Sequence, residues 1–203
     1  MADLSNFRVV EFDQSEVLGS TYRNKRDVQG GVCAALCVAW VHAIEGGAEV
    51  GDIDALKREF DLSVNRQRII TDAYSQVDGV RSAVYNAISH ITRLKLTFED
   101  SGENVDPIKQ TFAGLKDGFF FLSVSFDEGA HMIALWKDGS DLVLFEPNFG
   151  VFMAESEAEV DDLAEALFDE YSGIGMAIES WRVFSLEFAE SALARFKRVA
   201  KVS

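Results

Sequence analysis

The hydrophobic pattern of this chain changes from a helical to a strand period near residue 116, and that change limits the folds open to it. Before this point apolar residues recur three and four positions apart, which is typical of amphipathic helices. After it, apolar and polar residues alternate in short runs separated by turn sequences, which predicts antiparallel strands. Helices followed by a strand meander indicate an α+β fold. No repeat or boundary divides the 203 residues, so we expect one domain over 1–203.

The same pattern assigns the individual elements. The helices are expected at about 33–45, 52–60, 67–91, 107–115, 160–168 and 187–201. The strands are expected at 7–12, 119–126, 130–136, 141–145, 151–152 and 176–184. A polar loop with three basic residues, at 20–27, leads into the first helix.

The segment around Cys33 carries the strongest chemical signal. Gly30 and Gly31 break the chain, and apolar residues at helical spacing follow them. Cys33 is therefore expected at the first helical turn, where unpaired N–H groups and the helix dipole favour an anion. A thiol at this position has a lowered pKa and reacts as a nucleophile at neutral pH. Cys37 lies one turn further on and is expected to be a core residue.

Composition and charge exclude several classes of function. Two cysteines four residues apart do not form a disulfide framework, which indicates a reducing compartment, and the histidines do not complete a zinc spacing. A net charge of −15 makes nucleic acid or an anionic membrane a poor partner. We expect no membrane span, no Sec-type signal peptide and no cofactor, and oligomeric state is not predicted.

A thiol nucleophile needs a base, and His131 is the best placed of the three histidines. His42 lies about 13 Å from Cys33 along the same helix at 1.5 Å per residue, so it cannot contact the sulfur. His131 begins a strand beside a glycine turn, where a scaffold can present a side chain to a cleft. Glu146 ends the next strand and is expected near His131, where a carboxylate could orient the imidazole. Asn148 is an alternative orienting residue, although we expect its amide to bond local backbone within the turn.

Three blocks carry a family resemblance: GGVCAALCVAW, GAHMIALW and FEPNFG, in that order. They are similar to the YopT/AvrPphB-type cysteine proteases, a papain-like family of bacterial effectors. The resemblance implies that Cys33 is the nucleophile, His131 the base and Glu146 the acid, although the family has Asp at that last position. The oxyanion-hole amide of the family has no clean match; Gln29 is nearest and Asn24 is a poorer candidate.

The resemblance also implies a fold and a function. We expect a papain-like architecture, in which an N-terminal helical part carries the nucleophile helix and packs it on a small antiparallel β-sheet. The activity expected is cleavage of one host protein by a secreted bacterial effector that acts in the host cytoplasm. A glutamine deamidase and an acyl transferase use the same thioester chemistry and remain open. An inactive interaction module with the same fold is the alternative from another class.

Overall fold

The computed structural model of the chain describes residues 3–15, 32–58, 60–76, 88–89, 94–127 and 129–188. The helices are α1 (Cys33–Glu45), α2 (Ile53–Arg58), α3 (Phe60–Gln76), α4 (Val105–Gly114) and α5 (Glu157–Gly173), and a 3₁₀ turn covers Leu4–Phe7. The strands are β1 (Arg8–Glu11), β2 (Leu94–Gly102), β3 (Gly118–Phe126), β4 (Gly129–Asp138), β5 (Asp141–Glu146), β6 (Gly150–Ala154) and β7 (Ser180–Phe188). The α+β architecture expected from the sequence is confirmed.

The strands form one antiparallel sheet in the order β1-β6-β5-β4-β3-β7-β2. Seven strands make it larger than the small sheet predicted. The strand missed is β2, which lies at the sheet edge and pairs with β7 through positions from Leu94 to Gly102. Most of its residues are exposed, so it lacks the apolar alternation that marks the central strands.

The core lies on both faces of the sheet. On one face α1 packs against alternate residues of the central strands, among them Met132, Ala134 and Phe145. On the other face α4 and α5 cover the intervening positions, including Ile133 and Leu144. A strand directs successive side chains to opposite faces, and both sets are apolar because helices cover both faces.

Three predicted boundaries were wrong. The long helix begins at Phe60, not at residue 67, because buried Ser63 and Val64 extend its packed face toward the N-terminus. The last strand is Ser180–Phe188, displaced from the 176–184 expected, because its partner β3 fixes the register from Ser180 to Leu186. The predicted final helix therefore cannot begin at residue 187, and its remainder lies outside the described residues, as does much of 67–91.

Helix α1 agrees with the prediction at both ends. It begins at Cys33 and ends at Glu45, before Gly46. Val32, its N-cap residue, makes no capping hydrogen bond with its own side chain. Amide side chains from distant parts of the chain bond to the helix start instead: Gln14 accepts from the N–H of Val32 and Gln67 from that of Ala35. The position of the helix start is thus set by tertiary contacts.

Candidate active site

Cys33 lies at the first turn of α1 and meets the beginning of β4. Its side chain is buried, at 8% exposure, and hydrogen-bonds to the imidazole of His131. The backbone N–H of Met132 donates a second hydrogen bond to the sulfur. The nucleophile candidate and the base candidate are therefore in contact, although 98 positions separate them in the chain (131 − 33).

Glu146 contacts His131 from the neighbouring strand. The Nε2 atom of His131 meets Oε1 of Glu146, and the Glu146 side chain is fully buried. The pairing of β4 with β5, which sets Ala134 opposite Phe145, brings the two residues together diagonally across the strands. Because Nε2 faces the carboxylate, Nδ1 is the ring nitrogen left for the thiol of Cys33.

The charges of this cluster move the pKa values in opposite directions. Burial disfavours the Cys33 thiolate, but the positive charge of His131 and the hydrogen bonds to the sulfur outweigh burial and lower the pKa of Cys33. Burial likewise disfavours the imidazolium, yet the charges of Cys33 and Glu146 raise the pKa of His131 to about 10. Both shifts favour a thiolate–imidazolium pair, and its two titrations are coupled.

Two further groups hold the carboxylate of Glu146. The hydroxyl of Tyr171, on α5, donates to Oε1 at 2.9 Å, and the backbone N–H of Asn148 donates to Oε2 at 2.6 Å. Burial and the adjacent charge of Glu146 raise the pKa of Tyr171 well above its ordinary value, so the hydroxyl keeps its proton. The carboxylate is therefore fixed from both sides while it faces His131.

The side chain of Asn148 does not bond within its own turn, contrary to the expectation from the sequence. Its Oδ1 accepts from Nε2 of Gln14 at 2.6 Å, a contact across 134 positions of the chain. The turn itself is present, because the N–H of Phe149 donates to the carbonyl of Glu146 at 3.1 Å. Because backbone groups close the turn, the side-chain amide of Asn148 is available for a tertiary contact.

A cavity of about 420 Å³ opens beside the sulfur and the imidazole. Its wall includes Cys33, His131, Gln67, Ser125, Asp127 and Glu179. The two carboxylates lie at its rim, where Asp127 raises the pKa of Glu179 through a hydrogen bond and like charge. Cys33 is buried, but the cavity gives a substrate access to its sulfur.

The remaining candidates do not join this cluster in the described part of the chain. Gln29 and Asn24, the two oxyanion-hole candidates, lie outside the described residues, and so does His90. Cys37 is fully buried, donates to the carbonyl of Met132 at 3.2 Å and has a raised pKa because of its burial and the nearby Cys33. It fits the core role predicted for it. Among the described residues, no three His, Cys, Asp or Glu side chains are arranged to hold a metal ion.

Sequence reasoning missed Tyr171 and Gln14. Tyr171 had a detectable signal, since it continues the apolar stripe of Val160, Leu163 and Leu167 by four residues, and a buried tyrosine hydroxyl needs a partner. Gln14 had none, because nothing in its local sequence indicates that its amide is buried beside a turn more than a hundred residues away.

The chain has the fold of solved cysteine protease-like domains, and its candidate site brings a thiol, an imidazole and a carboxylate together. Residues 115–179 match the model of the Peptidase_C58 family, which is described as Yersinia/Haemophilus virulence surface antigen. The matched segment includes His131 and Glu146. It begins after Cys33 and does not include it. This match confirms the resemblance to the YopT/AvrPphB family that the sequence blocks indicated.

Known structures share the fold. The Pseudomonas avirulence protein AvrPphB superposes with a TM-score of 0.72 at 22% identity, over 91% of this chain and 100% of that chain. PatoxP, a cysteine protease-like domain of the Photorhabdus asymbiotica toxin PaTox, gives a TM-score of 0.54 at 13% identity, over 92% of this chain and 56% of that one. At these identities the likeness concerns the fold.

A curated relative is the protein adenylyltransferase and cysteine protease IbpA of Histophilus somni. It is 22% identical over 87% of this chain, and the chain spans only 5% of that relative's length. In the part of the chain that the structure describes, every helix is too short or too polar to cross a membrane.

The hydroxyl of Tyr171 gives the first testable prediction. Tyr171→Phe keeps the ring and removes one of the donors that fix Glu146, so we expect kcat to fall about three- to tenfold, as the loss of an ordinary hydrogen bond would produce while the N–H of Asn148 still holds the carboxylate. Steady-state kinetics on any cleaved substrate, with the melting temperature measured in parallel, checks this. An unchanged kcat in a folded variant would show that the hydroxyl has no part in holding the acid.

Proposed function

We propose that this chain, as a single domain over 1–203, is a thiol protease that cleaves a specific host protein through Cys33, His131 and Glu146. The observation that carries the proposal is the contact of His131 with both a buried carboxylate and a helix-start thiol of lowered pKa. That arrangement supplies a nucleophile, a proton carrier and an orienting acid beside an open cavity.

The proposed reaction proceeds through a thioester. The Cys33 thiolate attacks the carbonyl carbon of a peptide bond and forms a C–S bond, and the electron pair moves to the carbonyl oxygen. His131 then gives its proton to the leaving nitrogen as the C–N bond breaks. A water molecule, losing a proton to His131, attacks the thioester and releases the acid, which restores the Cys33 thiolate and His131 imidazolium.

The oxyanion would be stabilised at the start of α1. The backbone N–H of Cys33 points from the first helical turn, where donors are unpaired and the dipole is positive. We propose the side-chain amide of Gln29 as the second donor, because it is the nearest amide before Cys33 in the sequence. The resemblance also supports a bacterial effector that acts in host cytoplasm.

Incubation with host-cell lysate tests this function. The native chain is expected to generate a small set of new protein N-termini, detected by mass spectrometry, that Cys33→Ala does not generate. Mass increases of 1 Da at glutamine without new N-termini would instead identify a deamidase, and amine adducts an acyl transferase. A lysate unchanged in all three respects would favour the inactive interaction module.

The pH dependence of cleavage follows from the two shifted pKa values. Because the pKa of Cys33 is lowered, the thiolate forms below the ordinary titration range of a thiol, and kcat/KM should rise with pH through that lower value. Because the pKa of His131 is raised to about 10, the imidazolium loses its proton there and kcat/KM should fall again. A profile that rises only once, near pH 8.5 as for a free thiol, would contradict the ion pair.

A further inference from the structure

We infer that Gln14 is a positioning residue that sets the distance between the nucleophile helix and the turn that carries the acid. The inference rests on the proposed function, because it concerns the same Cys33, His131 and Glu146. Gln14 itself touches neither the sulfur nor the imidazole. It acts through the residues that flank the nucleophile and the acid.

Gln14 makes three hydrogen bonds that connect three segments. Its Oε1 accepts from the N–H of Val32, directly before Cys33, at 2.7 Å. Its Nε2 donates to Oδ1 of Asn148 at 2.6 Å, and its backbone N–H donates to the carbonyl of Pro147 at 2.7 Å. One amide side chain thus joins the peptide before the nucleophile to the turn directly after Glu146.

The segment that carries Gln14 is itself held beside the turn that follows Glu146. β1 pairs with β6 beside the turn, and Val10 and Glu11 align with Val151 and Gly150. Gly150 has φ +126°, and a Cβ there would come within 2.1 Å of the carbonyl oxygen of Val10. Only glycine permits this close approach, so the backbone delivers Gln14 to one fixed place.

Burial makes these hydrogen bonds difficult to replace. Gln14 is 6% exposed, and the contacts with Val32 lie inside the protein. Water has little access to the N–H of Val32 if the amide is removed, and an unsatisfied buried donor favours movement of the helix start. Such movement displaces Cys33 from His131, because Cys33 directly follows Val32.

Alkylation of Cys33 tests the inference without a substrate. The rate of reaction with iodoacetamide at pH 6.5 reports the thiolate fraction, and fragment mass spectrometry distinguishes Cys33 from Cys37. The test variant is Gln14→Met, which keeps the length of the side chain and removes its two side-chain hydrogen bonds, while the backbone bond to Pro147 remains. The control is Ser156→Ala, which removes the N-cap contact of α5 with the N–H of Glu159, about 22 Å along that helix from Tyr171.

We expect Gln14→Met to lower the Cys33 alkylation rate at pH 6.5 about tenfold and to shift its pH midpoint upward. Ser156→Ala should lower the melting temperature and leave the alkylation rate as in the native chain. A folded Gln14→Met variant with the native rate and midpoint would overturn the inference.

A second variant covers the case in which Gln14→Met does not fold. Asn148→Ala removes the other end of the side-chain connection, together with the hydrogen bond between Asn148 and Tyr171, and is expected to slow alkylation at least twofold; an unchanged rate would overturn the inference. Failure of the proposed function looks different, because the native chain itself would then react at Cys33 only near or above pH 8.5.

Discussion

Replacing Cys33 with alanine is expected to abolish proteolysis, with kcat falling by at least about a thousandfold, because no other described group can form the thioester. Cys37→Ala is expected to keep most of the activity. Cys37 has a raised pKa, is fully buried and bonds to a backbone carbonyl, so it is neither ionised nor accessible. Assays of both variants on the same substrate, with circular dichroism to establish folding, check this prediction.

The two cysteines serve as matched controls for each other, since they lie one turn apart on the same helix. Loss of activity in both variants, with Cys37→Ala folded as the native chain, would show that the assignment of Cys33 alone is wrong. Full activity in Cys33→Ala would show that the thiol mechanism proposed through Cys33 is wrong.

Glu146→Ala is expected to lower kcat about ten- to a hundredfold, because the imidazolium loses a stabilising charge. The fully buried carboxylate contacts Nε2 of His131, and its negative charge stabilises the imidazolium. Glu146→Gln keeps the length and removes the charge, so it should be nearly as impaired. Glu146→Asp keeps the charge but shortens the reach to His131, Tyr171 and the N–H of Asn148, and its kcat should lie between those of the alanine variant and the native chain.

Asn148→Ala separates the two candidate orienting residues. The side-chain amide of Asn148 contacts Gln14. The backbone N–H of residue 148, which remains in the variant, donates to Glu146. Its kcat should therefore fall only a few-fold. If kinetics showed Asn148→Ala inactive and Glu146→Ala near normal, with both variants folded, Asn148 and not Glu146 would orient His131.

Local signals in the sequence were enough to predict the parts of the fold that position the nucleophile. The helix that begins at Cys33 follows from its apolar spacing, and the central strands follow from alternation and turn residues. The approach of His131 to Glu146 follows from strands joined by a tight turn. Each of these inferences uses residues that are near one another in the chain.

Contacts between distant segments could not be predicted in this way. The edge strand β2 is mostly exposed, so its pairing with β7 decides its conformation and its own pattern does not. The start of β7 at Ser180 is set by its register with β3. Gln14 bonds to Val32 and Asn148 across 18 and 134 positions of the chain, and no local pattern encodes such a contact.

The rate of Cys33 alkylation against pH, in the native chain and in His131→Ala, tests the thiolate–imidazolium pair most directly. In the native chain we predict a midpoint below the ordinary thiol value of about 8.5, since the charge of His131 and the hydrogen bonds to the sulfur together outweigh the burial of Cys33. In His131→Ala the midpoint should move upward, because only the hydrogen bond from the N–H of Met132 then opposes burial and the charge of Glu146. A native midpoint at or above about 8.5, or one that His131→Ala leaves unchanged, would contradict the pairing of these two residues.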